Sequence, residues 1–257
     1  MIWTETGTPG AEPLVFLHGA GLSARQWEPQ LPAFDAFHVL APDLPGNGRS
    51  PGPIDLVATA DAIADALRDR VPGGKASLVG NSFGGSVALT LLHRHPDRVS
   101  RVLVSGTSAP LGSFMAWLME QSGALYRLID PEKLVSSGLK QFRIPPAFHE
   151  TFRADMRRVM NAEANHQVVA ALRAFVMPQN AQVPVLVAVG SHETLPAKQS
   201  AKVLMRAIPQ ARGVLVEGVG HVWNLEAPER FNALVRAWMA DETLTGQGLP
   251  PGMRPLR

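Results

Sequence analysis

The sequence predicts an α/β fold in which a mostly parallel sheet of about seven strands carries helices on both faces. The first observation is a set of short, nearly continuous apolar runs, which suit strands that are buried on both faces. These runs lie at residues 14–17, 37–41, 76–79, 102–104, 185–189 and 213–216. The second observation is that helical segments separate the runs, and this alternation is typical of parallel sheets.

The segments between the apolar runs have the pattern of helices that cover a sheet. In residues 55–70 an apolar stripe lies opposite a row of aspartates, so one face of the helix is suited to burial and the other to solvent. Residues 82–95 and 228–240 are predicted helices as well. Together they predict the helical layers on the two faces of the sheet.

Residues 111–178 interrupt the alternation. They contain helical patterns without a convincing strand, together with five of the nine methionines of the chain. A long helical insertion rich in adaptable apolar side chains is typical of a cap over a binding site, although the same side chains would also suit the insertion's own core. We therefore expect a core at 1–110 and 179–242, a helical cap at 111–178 and an irregular tail at 243–257.

The composition argues against several classes of protein. The 24 basic and 22 acidic residues are scattered, so the clustered basic patch of a nucleic-acid-binding protein is missing. The absence of cysteine excludes disulfides, thiolate metal sites and cysteine nucleophiles. Without a signal-peptide pattern or an apolar run of about 18 residues, we expect a cytoplasmic protein that does not enter a membrane. The expected partner is a small-molecule substrate, with no metal or organic cofactor.

Gly80-Asn81-Ser82-Phe83-Gly84 fits the pattern G-x-S-x-G, directly after the strand at 76–79 and at the start of a helix. In such a turn the serine is held in a strained backbone conformation that projects its hydroxyl away from the sheet, and the flanking glycines avoid steric clashes. Ser82 is therefore the candidate nucleophile. The alternative is a structural serine in a glycine-rich turn.

His18-Gly19-Ala20-Gly21 follows the strand at 14–17. A backbone N–H in this position helps to form an oxyanion hole together with the N–H of the residue after the nucleophile. We therefore pair the N–H groups of Ala20 and Phe83. Taken alone, the four residues would also suit an ordinary turn.

The candidate general base is His221, which follows the strand at 213–216 and precedes the last helix. The seven other histidines lie in less suitable positions. Glu193 follows the strand at 185–189 and is the candidate acid that orients the imidazole, as a carboxylate does in serine hydrolases. A surface glutamate is the alternative for this position. Three rival acids fit the chain order less well: Asp97, Asp130 and Glu217.

These motifs together resemble the α/β-hydrolase family, as does the loop Pro42-Asp43-Leu44-Pro45-Gly46-Asn47-Gly48-Arg49-Ser50. The match covers about residues 13–110 and 180–240, and the order Ser82, Glu193, His221 is that of the family. The resemblance implies a sheet that usually has eight strands, with a cap after the sixth. Only about a dozen residues precede the strand that ends at His18, so we expect seven strands here. Two departures from the family are a glutamate in place of the commoner aspartate, and Asn47 where relatives usually carry histidine.

The motifs and the resemblance predict a serine hydrolase that cleaves a carboxylic ester through an acyl-enzyme. Four apolar side chains of the insertion are expected to line an acyl pocket: Phe114, Trp117, Leu118 and Met119. A carbon–carbon bond hydrolase of ring-cleavage products is the alternative, because an asparagine before the serine also resembles those enzymes. A second alternative is a ligand-binding protein without catalysis. Haloalkane dehalogenases are disfavoured, because their nucleophile is an aspartate.

Overall fold

The computed structural model describes residues 1–240, 244 and 248–256. Within these residues the strands are β1 Ile2–Gly7, β2 Pro13–Leu17, β3 His38–Asp43, β4 Ala76–Asn81, β5 Val99–Ser105, β6 Val185–Gly190, β7 Ala211–Val216 and β8 Met253–Pro255. They form one eight-stranded sheet in the order β1-β3-β2-β4-β5-β6-β7-β8. Strands β2 to β7 are parallel to one another, whereas the edge strands β1 and β8 are antiparallel to β3 and β7. The predicted fold class is confirmed.

The described part of the sheet has eight strands and not the expected seven. Strand β8 lies in the tail that was predicted to be irregular, and it pairs with β7. Both edge strands lack a continuous apolar run because most of their side chains are exposed or only half-buried, so the pattern that identifies buried strands does not reveal them. Residues 241–243, 245–247 and 257 of the predicted core end and tail lie outside the described residues.

Helices cover both faces of the sheet, as predicted. The helices are α1 Leu56–Arg70, α2 Phe83–Arg94, α3 Ser113–Ala124, α4 Pro131–Gln141, α5 His149–Val159, α6 Ala162–Arg173, α7 Leu195–Ala207, α8 Trp223–Glu226 and α9 Pro228–Ala240. Strand residues alternate between the faces: Leu78 of β4 belongs to the buried cluster that includes residues of α1, α2 and α7, whereas Val79 belongs to the cluster that includes residues of α8 and α9. No helix in the described ranges is long and apolar enough to cross a membrane.

Helices α3 to α6 lie between β5 and β6, where the sequence predicts an insertion. Buried side chains of α4 and α5, among them Val135 and Phe152, form a cluster with Leu22 and Val222 of the core. Leu22 follows β2 and Val222 follows β7, so this cluster lies at the carboxyl ends of the parallel strands. The insertion is therefore packed against the sheet edge at which ligands bind in open α/β folds.

Candidate active site

Ser82 occupies the sharp turn between β4 and α2, with φ 53° and ψ −119°. A Cβ at Gly80 would lie 2.6 Å from the carbonyl oxygen of Gly84, and a Cβ at Gly84 would lie 2.5 Å from the carbonyl oxygen of His18. Both positions therefore require glycine. The Ser82 N–H donates to the Ser105 carbonyl at 2.8 Å, and Thr107 Oγ1 donates to the Ser82 carbonyl at 3.2 Å, so the end of β5 holds the turn on its other side.

The turn that begins at His18 packs directly against Ser82. A Cβ at Gly19 would lie 3.4 Å from Ser82 Cβ. The buried ring of His18 donates from Nδ1 to the Gly19 carbonyl at 2.8 Å and accepts from the Leu44 N–H at Nε2, at 2.9 Å. Burial lowers the pKa of His18 to about 4. The ring is thus neutral, and the hydrogen bonds of its two nitrogens connect the Gly19 turn with the loop after β3.

The two predicted oxyanion donors, the N–H groups of Ala20 and Phe83, lie in the segments on either side of Ser82. In the described part of the chain neither N–H has a protein acceptor. Phe83 is the first residue of α2, where backbone N–H groups are unpaired and the helix dipole favours negative charge. Both groups are therefore available to an anionic oxygen.

Glu193 and His221 lie side by side at the ends of β6 and β7. His221 Nδ1 lies 3.0 Å from both carboxylate oxygens of Glu193, so it donates to them and leaves Nε2 as an acceptor. The Glu193 side chain is 4% exposed and that of His221 is 20% exposed. Gly106, with φ 62°, lies beneath the pair, since a Cβ there would be 2.8 Å from Glu193 Oε1.

The three rival acids have other partners. Asp97 pairs with Arg98, and Glu217 pairs with Arg254 at 2.8 Å. Asp130 caps the start of α4. Glu193 is therefore the carboxylate of the four that contacts His221.

The loop of His221 is tied to the serine turn through the residue that precedes the serine. Asn81 Nδ2 donates to the His221 carbonyl at 3.0 Å and to the Ser105 carbonyl at 3.2 Å. Among the described residues no direct hydrogen bond joins the Ser82 hydroxyl to the His221 ring. Hydrogen bonds of this kind are often long in a free enzyme and tighten with substrate.

Two residues that follow α4 contact the acid and base loops and were missed by sequence reasoning. The ring of Phe142 stacks on the His221 ring, with centroids 5.3 Å apart. Arg143 donates from Nε to Glu226 at 2.9 Å and from Nη1 to His192 Nδ1 at 3.1 Å. Neither residue belongs to a recognisable motif, because the contacts join segments that are distant in the chain.

A cavity of about 710 Å³ opens beside the Glu193–His221 pair, between the insertion and the start of α7. Of the four predicted pocket residues, Met119 lines this cavity. The other three do not line it: the side chains of Phe114, Trp117 and Leu118 are exposed by 72%, 57% and 45%. The reason is helical phase, because Met115 and Met119 of α3 share the inner face by their spacing of four residues.

Comparison with known proteins gives a consistent result over most of the chain. A family model described as "Alpha/beta hydrolase family" matches residues 14–234. The chain is 32% identical to a 2-hydroxymuconate semialdehyde hydrolase from Pseudomonas sp. strain CF600, with 89% of this chain and 87% of that protein covered. It is 29% identical to a pimeloyl acyl-carrier-protein methyl ester esterase from Neisseria meningitidis serogroup A, with 97% and 85% covered. A solved hydrolase structure from Pseudomonas aeruginosa has a TM-score of 0.75 and 27% identity, with 93% of this chain and 94% of that chain covered.

Proposed function

The chain belongs to the alpha/beta hydrolase family, and we propose that it is a serine hydrolase that cleaves a carboxylic ester with Ser82 as nucleophile. One observation carries the proposal: a serine in a strained strand-to-helix turn directly follows Asn81, which is hydrogen-bonded to the His221 carbonyl, and the His221 ring is paired with the buried Glu193 carboxylate at 3.0 Å. This combination provides a nucleophile, a base and a group that orients the base.

In the proposed reaction the Ser82 hydroxyl gives its proton to His221 Nε2 as its oxygen bonds to the acyl carbon. The N–H groups of Ala20 and Phe83 donate to the oxygen that becomes negative. His221 then passes the proton to the departing alcohol, which leaves the acyl group on Ser82. Water gives a proton to His221 and attacks the acyl carbon, the carboxylic acid departs, and the proton returns to Ser82.

Glu193 has a separate role in this scheme. Its carboxylate accepts from Nδ1, which keeps Nε2 free to take the serine proton, and it stabilises the imidazolium that forms. Glutamate has one more methylene than aspartate. In this chain the Glu193 N–H donates to the Gly190 carbonyl at 3.1 Å and the carboxylate lies 3.0 Å from His221 Nδ1, which supports Glu193 as the orienting acid.

The insertion at 111–178 is proposed as a cap that forms the substrate pocket. The cavity beside His221 is bounded by Leu111, Met115 and Met119 from the insertion and by Pro196 and Val203 from the core side. These walls suit a small or medium apolar group. The acyl or alcohol portion of the ester would lie here, with its carbonyl next to Ser82.

The second candidate is cleavage of a carbon–carbon bond in a ring-cleavage product. It is favoured by the 32% identity to a 2-hydroxymuconate semialdehyde hydrolase and by Asn81 before the serine. Water is added across the cleaved bond in both reactions. In carbon–carbon cleavage the departing carbon receives the proton, whereas in ester cleavage the alcohol oxygen receives it. The same Ser82, His221 and Glu193 would serve both.

The test compares kcat/KM for nitrophenyl esters of increasing acyl length with kcat/KM for a dienone acid of the ring-cleavage type. We expect ester turnover that disappears in Ser82→Ala. Untouched esters together with turnover of the dienone acid would replace the ester proposal with the second candidate. If Ser82→Ala kept both activities, the ester proposal and the carbon–carbon proposal would both be contradicted.

A further inference from the structure

A cluster of buried side-chain amides lies behind the serine turn. Its centre is Gln26, which is fully buried, with Asn81 and Asn224 beside it at 2% and 1% exposure. Gln26 Nε2 donates to Asn81 Oδ1 at 2.9 Å and to Asn224 Oδ1 at 3.0 Å, while Gln26 Oε1 accepts from the Gly19 N–H at 3.0 Å. We call these three side chains the amide hub.

Every side-chain N–H of the hub has an acceptor. Asn81 Nδ2 donates to the carbonyls of Ser105 and His221, and Asn224 Nδ2 donates to the Gln26 carbonyl and to Gln30 Oε1. Exchanging the oxygen and nitrogen of the Gln26 amide would oppose its oxygen to two other oxygens and its NH₂ to the Gly19 N–H. The partners therefore determine the orientation of this amide.

The hub connects segments that are far apart in the chain. Gln26 is 55 residues from Asn81 and 198 residues from Asn224. Its three partners lie in the turn after β2, at the end of β4 and in α8, which begins two residues after His221. These positions adjoin the first oxyanion donor, the nucleophile and the base, so one side chain is bonded to a neighbour of each.

We propose that Gln26 is a positioning residue that sets the distance between the oxyanion donor at Ala20 and the nucleophile at Ser82. Gly19, whose N–H it holds, directly precedes Ala20, and Asn81 directly precedes Ser82. The inference rests on the proposed serine hydrolase activity. It adds that hydrogen bonds through Gln26 preorganise the donors that act on the transition state, where donor placement matters most.

A purely packing role does not explain the hub. Apolar side chains of similar volume fill a buried space without partners, whereas an amide that loses one partner leaves buried polar atoms unpaired. Burying three amides costs desolvation free energy that apolar side chains of the same volume would not. The hydrogen bonds of these amides do, however, fix three segments of the chain relative to each other.

The test uses Gln26→Met with Gln30→Met as the matched control. Gln30 is equally buried, and among the described residues its side chain bonds with Asn224 alone, so the control removes a buried amide without touching the Gly19 turn or Asn81. The readouts are kcat and KM for an ester and the affinity for a trifluoromethyl ketone, which forms an anionic adduct with a serine hydroxyl. For Gln26→Met we expect kcat and ketone affinity to fall about 100-fold, as for loss of one oxyanion donor, with KM within threefold of wild type.

For Gln30→Met we expect both quantities within threefold of wild type. Equal losses in the two variants, or no loss in Gln26→Met, would overturn the proposal. If Gln26→Met does not fold, Gln26→Glu keeps the shape of the side chain and is tested instead. Its kcat relative to wild type should increase as the pH is lowered, because a protonated carboxyl regains one donor. A relative kcat near that of wild type at every pH would contradict the positioning role.

Hydrogen exchange of the Gly19 amide separates this inference from the proposed function. In a folded Gln26→Met protein this amide should exchange at least tenfold faster than in Gln30→Met. If the wild-type protein hydrolysed no ester but the two variants still differed in this exchange rate, the proposed function would be refuted. Gln26 would then have a structural role in the Gly19 turn alone. Equal exchange in an active enzyme would refute the role of Gln26 alone.

Discussion

Ser82 adopts a backbone conformation that costs a residue with a side chain about 1–3 kcal/mol, and the contacts of its neighbours maintain it. The Ser105 carbonyl accepts from its N–H on one side, and on the other side Gly19 lies so near that a Cβ there would touch the Ser82 Cβ. Strain of this kind persists only where surrounding structure imposes it. At the scale of single residues, the turn therefore orients the serine at a cost to the stability of the fold.

Glu193→Gln tests the orienting acid. The amide would place an N–H against His221 Nδ1, which favours the tautomer with Nε2 protonated, so the base could no longer take the serine proton. We expect kcat to fall about 10³-fold or more with the fold intact, as measured by ester hydrolysis and circular dichroism. Glu217→Gln, which changes a glutamate paired with Arg254, should leave kcat unchanged. Near-normal turnover of Glu193→Gln would assign the orienting role elsewhere.

His18 makes a prediction about stability and pH. Its pKa is about 4 in the folded protein because of burial, against 6.5 for an ordinary histidine. Between these values the unfolded chain binds a proton that the folded protein excludes. The contribution of His18 to the free energy of unfolding is therefore complete above pH 6.5 and is lost as the pH falls toward 4, over a span of about 3 kcal/mol.

Urea unfolding at pH 7 and pH 4 measures this difference. The loss of stability between the two pH values should be smaller in His18→Asn than in wild type by about 3 kcal/mol. His166→Asn, at a histidine whose side chain is 64% exposed, should keep the wild-type loss. Identical pH dependence in His18→Asn and wild type would show that the ring is not held neutral.

At the scale of elements, α3 divides its apolar residues between two faces. Met115 and Met119 face the cavity, whereas Phe114, Trp117 and Leu118 lie on the outer surface, with the rings of Phe114 and Trp117 stacked at 6.2 Å. Composition alone does not reveal which face of such a helix is inward, since residues 114–119 are all apolar. This is why Met119 lines the cavity and the other three residues predicted for the pocket do not.

The inner face of α3 gives a prediction about substrate size. Met119→Trp should fill part of the cavity and lower kcat/KM for the longest accepted acyl chains at least tenfold, while short acyl esters change little. Leu118→Trp, one position along the same helix but on the exposed face, is the matched control and should leave the profile unchanged. A profile over acyl length that is the same in both variants would remove α3 from the pocket.

The parts of the fold and site that the sequence predicts are those encoded within a few residues. The parallel strands carry apolar runs because both of their faces are buried. The turn at Ser82 carries flanking glycines because a Cβ at those positions would clash with the backbone. Edge strands β1 and β8 lack that signal. The contacts of Gln26 and Phe142 have no local signature, because they depend on which distant segments the fold brings together.

At the scale of the whole molecule, the site exists only because the carboxyl ends of the parallel strands meet at one edge of the sheet. Ser82 follows β4, Glu193 follows β6 and His221 follows β7, and the insertion packs over the same edge. Each group comes from a different strand, so the spacing of the groups is a property of the complete sheet. In the proposed function the residues at this edge carry the chemistry and the insertion selects the substrate, whereas the fold alone fixes neither.

The most direct test of the central claim is covalent labelling of the folded protein with a fluorophosphonate, followed by mass spectrometry of the modified peptide. We predict stoichiometric labelling at Ser82, absent in Ser82→Ala and strongly slowed in His221→Ala, because only an activated serine next to oxyanion donors reacts rapidly with this reagent. Folded wild-type protein that remains unlabelled, or that is labelled at another residue, would contradict the assignment of Ser82 as nucleophile and favour a ligand-binding protein without catalysis.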